Sequence, residues 1–259
     1  MSFLDNKEKK ITNEFLKKGY LLNPVEKRKS LKYISNLVKK AVSKYLKRKN
    51  VNLNLIHKYI PKKNINDFRV NIIREINKDN MLRFHYFNLA KNNLYCLVGN
   101  ELMMQKNINL SIQLPEDETS ILPFHSDIWS GDSPYEINLW LPLVNCYKTK
   151  SMYILEKSKL DFLQAKIKKL KNKSSKDLYE LSKKYLKWID IKYQNYLLFD
   201  QSIPHGNIVN SENETRWSMN CRFKNLFTPY NDKRIGEFFL PITARAMTEI
   251  GINYKSPFK

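Results

Sequence analysis

Residues 215–227 limit the possible folds more than any other stretch. Here Arg216, Ser218, Asn220 and Arg222 alternate with Trp217, Met219, Cys221 and Phe223. Successive side chains of a β-strand leave opposite faces, so this period of two makes one face wholly polar and the other wholly apolar. A single arginine in a strand is ordinarily a surface ion-pair residue. Four polar positions opposite four apolar ones instead fit a strand with packed helices on one side and a water-accessible cavity on the other. Residues 136–144 repeat the pattern, separating Asn138, Trp140 and Pro142 from Ile137, Leu139, Leu141 and Leu143. Asn138 and Trp140 thereby join Arg216 and Ser218 on the candidate cavity wall. For Asn138, and for Gln113 in the strand pattern at 107–114, satisfying backbone groups at a strand end is an equal alternative to ligand contact.

Further short strands are expected at 107–114, 151–155, 192–199 and 207–210. Many short strands without intervening helices indicate a sandwich or jelly roll, and with the helical segments the class is α+β. Helices are expected at 4–17, 66–78 and 81–97, the last stopped by Gly99-Asn100, and at 234–250. Asn23-Pro24-Val25-Glu26 offers an N-cap, a first-turn proline and an acidic third position. After it, Leu31, Ile34, Leu37, Val38, Ala41, Val42, Tyr45 and Leu46 recur at helical spacing. Residues 157–187 read as an insertion of two basic helices around Asn172-Lys173-Ser174-Ser175. A long surface insertion adds little closure entropy, so it need not disturb the strands on either side. The expected organisation is one domain over 1–259: a mainly helical part (1–106), a strand core with its insertion (107–230), and a terminal helix and tail (231–259).

The chemistry-bearing residues lie between these strands. Pro123-Phe124-His125-Ser126-Asp127 puts an imidazole and a carboxylate on one face of an extended backbone. Of the four histidines, His57 and His85 fall in helical segments and read as packing or surface residues. His205 follows the apolar run Tyr196-Leu197-Leu198-Phe199, at a strand end. Two histidines and one carboxylate with open positions opposite are the ligand set of non-haem Fe(II) oxygenases. Arg216, eleven residues after His205, sits where a returning antiparallel strand can hold a dicarboxylate bidentately.

His125-x-Asp127, His205 and Arg216 resemble the H-x-D, H, R signature of the 2-oxoglutarate- and Fe(II)-dependent dioxygenases. With the context from Asn109-Leu110-Ser111-Ile112-Gln113 through Asn138-Leu139-Trp140-Leu141-Pro142-Leu143 to Arg216-Trp217-Ser218-Met219, the chain is most similar to the phytanoyl-CoA-hydroxylase-like branch. Within it, the likeness is to oxygenases of carbohydrate-biosynthesis clusters. The resemblance covers roughly 107–229, with a weaker echo at Phe15-Leu16-Lys17-Lys18-Gly19-Tyr20. It implies a double-stranded β-helix, the cupin-like jelly roll, with Fe(II) on His125, Asp127 and His205. It further implies 2-oxoglutarate on Arg216, with Ser218, Asn138, Trp140 and Gln113 around it, and O₂ as the other reactant. The implied reaction oxidises a C–H bond of a small molecule, a sugar or nucleotide-linked sugar, and releases succinate and CO₂. Family halogenases lack the carboxylate ligand, so Asp127 favours hydroxylation or a related oxidation. Arg216 separates this reading from a cupin-type isomerase or hydrolase, which needs no dicarboxylate anchor. Trp129 and Arg222 are the substrate candidates, each with a structural role as an equal alternative.

The formal charge of +21 invites a nucleic-acid reading, with a basic RNA-directed or non-catalytic protein on the same fold as the alternative. The distribution argues against it. Lys and Arg are missing from the 41 residues between Lys106 and Lys148 and from the 23 between Lys192 and Arg216. A groove that tracks phosphates runs through the working face, whereas these lysines lie on helices around it. No nucleic-acid partner is expected. With no apolar run of about eighteen residues and no basic-then-apolar leader at its start, the chain is expected to be soluble and cytoplasmic, without a membrane partner. Cys96, Cys146 and Cys221 are odd in number and widely spaced, which suits a reducing compartment better than a disulfide framework.

Overall fold

The alternating segment forms the centre of a seven-stranded antiparallel sheet in a computed structural model that describes residues 3–170 and 174–258. In chain order the first elements are α1 (Asn6–Lys18), β1 (Tyr20–Pro24), α2 (Arg28–Leu46), α3 (Ile65–Asn77), α4 (Leu82–Phe87) and α5 (Lys91–Val98). The strands β2 (Leu102–Gln105), β3 (Asn109–Gln113), β4 (Glu136–Pro142) and β5 (Tyr153–Leu155) follow, then α6 (Leu160–Lys169) and α7 (Ser175–Ser182). The chain continues with β6 (Leu186–Trp188), β7 (Asn195–Asp200), β8 (His205–Gly206), β9 (Arg216–Asn225), β10 (Phe239–Pro241) and α8 (Ala246–Asn253). The large sheet has the order β1-β7-β4-β9-β2-β10, with β3 also paired to β9. A smaller antiparallel sheet runs β6-β5-β8.

Register explains the burial. Ile137, Leu139 and Leu141 of β4 lie opposite Phe223, Cys221 and Met219 of β9, so all six point to one face. The helices cover that face. Phe68 of α3 meets Trp217 edge-on at 6.0 Å, Trp217 donates its indole N–H to the Leu53 carbonyl at 2.8 Å, and Tyr86 of α4 donates to the Leu139 carbonyl at 3.0 Å. On the other face Asn138 lies opposite Arg222 and Phe199, Trp140 opposite Asn220, and Pro142 opposite Ser218. Both faces of β4 are buried along its whole length, the condition of a strand between two layers.

Several expectations change in the folded chain. Asn23 and Pro24 do not begin a helix; they end β1, opposite Tyr196 and Asn195 of β7. Glu26 then reaches forward to accept from the Asn92 and Asn93 amides in the first turn of α5, so its acidic group caps a different helix. The helix expected at 81–97 breaks into α4 and α5 at Ala90, whose φ of −142° is not helical. Residues 207–210 are not a strand; the strand is the preceding pair His205–Gly206. In 234–250 a short strand, β10, pairs with β2, and the helix starts only at Ala246. β2 itself went unread, since Leu102-Met103-Met104-Gln105 carries neither alternation nor β-branched residues. In the insertion Ser174 caps α7 through its hydroxyl, while the expected turn at Asn172-Lys173 lies outside the described residues. β1, β2 and β10, from the two flanking parts of the chain, all belong to the large sheet. Among the described residues no helix is long and apolar enough to cross a membrane.

Candidate metal centre and adjoining cavity

The segment that carries His125 runs antiparallel to the start of β8. The His125 amide donates to the His205 carbonyl at 3.0 Å and the His205 amide to the His125 carbonyl at 2.8 Å. This pair of bonds sets the two imidazoles side by side, with ring centroids 4.4 Å apart. Ser126 points the other way and is fully buried, donating to the carbonyls of Gln201 at 2.8 Å and Ser202 at 3.1 Å. That fixes the alternation of the H-x-D motif and turns Asp127 back toward the histidines. Asp127 opens a 3₁₀ turn that closes at Gly131, whose φ of +88° only glycine adopts easily.

Each histidine is oriented through its far nitrogen. Nδ1 of His125 lies 2.7 Å from the Pro123 carbonyl, and Nδ1 of His205 lies 3.0 Å from the Ile203 carbonyl. A carbonyl only accepts, so Nδ1 carries a hydrogen and, in the neutral ring, Nε2 presents its lone pair. Those Nε2 atoms lie 3.4 Å (His125) and 3.9 Å (His205) from Oδ1 of Asp127. One donor atom from each of the three residues falls within 4.8 Å of the others. Oδ2 of Asp127 is buried without a hydrogen-bond partner. Two imidazoles with exposed lone pairs and a carboxylate with an orphaned oxygen fit a first-row divalent metal.

The electrostatics agree with this donor set. Burial pushes His205 down to about 4, so it is neutral at ordinary pH. Burial acts downward on His125 too, but its bond to Asp127, the Pro123 carbonyl and the Asp127 charge outweigh it, and the imidazole stands above its ordinary value. Burial acts upward on Asp127, yet His125, His205 and Arg222 hold the carboxyl well below the usual carboxylate range.

Arg222 is engaged through Nη2 and Nε. Its Nη2 lies 3.3 Å from Oδ1 of Asp127 and 3.2 Å from Oδ2 of Asp132, and its Nε donates to Gln201 at 3.0 Å. Gln201 in turn donates to Glu136 at 3.1 Å, and Lys233 pairs with Asp132. Arg222 therefore touches a candidate ligand rather than facing open space. Trp129, 44% exposed, packs obliquely on Phe124 at 6.3 Å just past the metal motif.

A cavity of about 440 Å³ opens beside His205, lined by Trp140, Phe199, Arg216, Ser218 and Asn220 among others. That volume is ordinary for a small-molecule site. Arg216 is buried, donating to the Ser151 carbonyl and the Ser111 hydroxyl at 2.9 Å each, and burial brings its guanidinium down to about 10. Its Nε and the Ser218 hydroxyl have no partner. Gln113 donates to the Ile208 carbonyl at 2.6 Å, and its Oε1 is orphaned, as is Oδ1 of Asn138; neither residue lines this cavity. His57 contacts the Thr215 hydroxyl at 3.0 Å, and His85 stacks on Tyr33 and contacts the Ser30 hydroxyl at 3.1 Å, both far from the metal motif in the helical layer.

The sequence reading missed Gly206 and Asn207. A Cβ on Gly206 would lie 2.6 Å from the Tyr153 hydroxyl and 2.8 Å from the Leu122 carbonyl, so the residue beside His205 has to be glycine. Asn207 accepts from the Leu122 amide at 2.5 Å and donates to the Ser120 carbonyl at 3.3 Å, stapling the segment that leads into His125. Pro-His-Gly-Asn was the available signal, for glycine and asparagine right after a functional histidine mark a close backbone approach.

No protein-family model and no curated protein matches the chain. Solved structures share its fold. The nickel complex of ThoJ, a non-heme monooxygenase, superposes with a TM-score of 0.59 at 10% identity, covering 92% of this chain and 85% of that one. HygX from Streptomyces hygroscopicus, with nickel and 2-oxoglutarate bound, gives 0.51 at 12% identity and 90% coverage of each. AviO1 from Streptomyces viridochromogenes Tue57 gives 0.51 at 10%, covering 89% of this chain and 100% of that one. The mixed helix and antiparallel-sheet fold of this chain is thus one found among non-heme oxygenases.

Proposed function

We propose that the protein is an Fe(II)- and 2-oxoglutarate-dependent oxygenase that oxidises a C–H bond of a small molecule and releases succinate and CO₂. The observation that carries this reading is one arrangement: the converging Nε2, Nε2 and carboxylate donors of His125, His205 and Asp127, with His205, Arg216 and Ser218 lining one cavity. The three donors would hold the metal, and such a ligand set would leave room opposite for a 2-oxo acid and O₂. Bound there, iron supplies the redox chemistry that couples decarboxylation of the 2-oxo acid to C–H oxidation. Arg216 and Ser218 hold the distal carboxylate, the guanidinium by a charge-assisted bond in a buried setting. Trp140 and Phe199 keep water from the chamber. HygX, on the same fold, holds nickel and 2-oxoglutarate, which supports the same pair of ligands here. The two sheets are read as the double-stranded β-helix of one domain spanning the chain. Free thiols at Cys96, Cys146 and Cys221, and an iron that must stay ferrous, suit the cytoplasm. The substrate is read as a sugar or nucleotide-linked sugar, with the ring of Trp129 as a stacking platform and Asp127 favouring hydroxylation over halogenation.

The test is anaerobic addition of Fe(II) and 2-oxoglutarate to the apoprotein. The expected result is the weak visible charge-transfer band of the chelate. It should be lost in His205→Ala, and in Arg216→Lys it should need roughly tenfold or more 2-oxoglutarate, because the planar fork is gone while a charge remains. A protein that binds the metal and gives neither the band nor succinate in air would overturn the reading.

A further inference from the structure

One charged residue of the helical layer reaches the cavity: Arg69 of α3. Its Nε donates to the Ile112 carbonyl of β3 at 2.9 Å, its Nη1 donates to Asn66 at 3.0 Å and to the Thr119 hydroxyl at 2.7 Å, and its Nη2 pairs with Asp117. The two side chains of that ion pair are only 12% and 8% exposed. Asp117 is itself the cap of a 3₁₀ turn at Glu118–Ser120, accepting from the Thr119 amide at 3.0 Å, the Thr119 hydroxyl at 2.6 Å and the Ser120 hydroxyl at 3.1 Å.

From this turn the chain runs along the cavity to His125. Thr119, Ser120, Ile121 and Leu122 form part of the cavity wall, and Arg69 and Asn66 stand beside them. The wall is held by Arg69 through Asp117 at its start, by Asn207 at Ser120 and Leu122, and by the backbone pair of His125 and His205 at its end. Packing contributes little to it. Ile121 and Leu122 are 36% and 52% exposed, so little apolar area is available to fix the segment. What keeps 119–122 in place is polar, and its charged member is the bond between Arg69 and Asp117.

We propose that Arg69 is a positioning residue: acting through Asp117 and directly on the Thr119 hydroxyl, it fixes the wall 119–122 and so sets the width of the entrance through which small molecules reach the cavity beside His205. The sequence offers no hint of this, because Arg69 sits in a helix and Asp117 in a loop 48 residues away, with no period linking them. The arrangement gives the helical layer a direct part in the site. Without the clasp, Leu122 keeps its bond to Asn207 and the segment its end at His205, so the metal donors stay together while the stretch from Asp117 to Ile121 loosens.

Amide hydrogen exchange on Arg69→Ala, and on Asp117→Asn should the first variant fail to fold, tests the proposal. Asparagine still accepts from the Thr119 amide but loses the ion pair. The expected result is exchange at Thr119 and Ile121 faster by about tenfold or more, the effect of losing a charge-assisted bond on local opening, with Leu122, still bonded to Asn207, and β3, β9 and α3 unchanged. Co(II) affinity should stay within about twofold, since the donors do not move. 2-Oxoglutarate should leave the Co(II)-loaded variants several-fold faster than wild type. That last arm rests on the proposed function; if wild type does not bind 2-oxoglutarate, that reading fails and exchange alone judges the clasp. Unchanged exchange at Thr119 and Ile121 in a folded variant would overturn the proposal. So would equal acceleration in α3 and β3, which would make Arg69 merely a stabiliser of the fold.

Discussion

Arg216 and Arg222 leave the same face of one strand, yet their surroundings divide their work. Arg222 sits between two carboxylates whose side chains are 8% and 1% exposed, and removing it would leave Asp127 with only the two histidines and Asp132 with only Lys233. Arg222→Ala should destabilise the apoprotein by about 3–5 kcal/mol in denaturant unfolding, the usual cost of breaking a buried pair from one side. A loss below about 1 kcal/mol would place those carboxylates in contact with water. The histidines divide in a similar way. Burial brings His205 down to about 4, so it is neutral well above that, whereas Asp127 and the Pro123 carbonyl favour the proton on His125. An incoming metal displaces that one proton, so Co(II) affinity should fall by about tenfold per pH unit below the raised value of His125. Calorimetry at several pH values between about 5 and 8 would read the slope, and a two-proton slope would contradict the assignment. For folding the signs are opposite. His205 contributes stability above its ordinary value of 6.5 that is lost as pH falls toward 4, while His125 contributes stability present below 6.5 and lost as pH rises through its raised value.

At the scale of elements, α3 joins the helical layer to the site. Its buried residues Ile65, Phe68, Ile72 and Ile76 recur at three and four, and Phe68 packs on Trp217 at the start of β9, next to Arg216. Phe68→Ala should cost about 3–5 kcal/mol, as cavities of this size usually do. It should also weaken 2-oxoglutarate binding more than metal binding, because Trp217 and Arg216 are neighbours on β9 whereas the histidines are held by backbone bonds elsewhere. Thermal unfolding with parallel titrations of Co(II) and 2-oxoglutarate would check both. Elements with strong local periodicity, α2 and β9 among them, were legible in the sequence. β2 and β10 were not, since each is a short strand whose state is decided by its partner, and Asn23-Pro24 kept good capping chemistry but was taken by β7.

For the whole molecule, charge and site are kept apart. The donors lie in the two stretches without Lys or Arg, while the lysine excess lies on α2 and around the insertion helices α6 and α7. Any binding to RNA or DNA should therefore be electrostatic, falling steeply between about 50 and 200 mM salt, and should not stimulate succinate formation. A salt-resistant component, or turnover that rises with added RNA, would assign the basic insertion a role in substrate delivery.

The sequence by itself determined the alternation of β9 and β4 and the helical stripe of α2, and it picked out His125, Asp127 and His205, whose donor atoms converge within 4.8 Å, because each is carried by residue type and short-range spacing. Tertiary structure decided which polar groups found partners. Arg222 and Arg216 are equivalent by periodicity, but the fold sets the first between Asp127 and Asp132 with Gln201 on its Nε, and the second beside the cavity with its Nε unpartnered. Asn207, Gly206 and the bond between Arg69 and Asp117 depend on segments brought together from distant parts of the chain. A hydrogen bond across such a separation leaves no period in the sequence, so it becomes visible only once the sheet has closed around it.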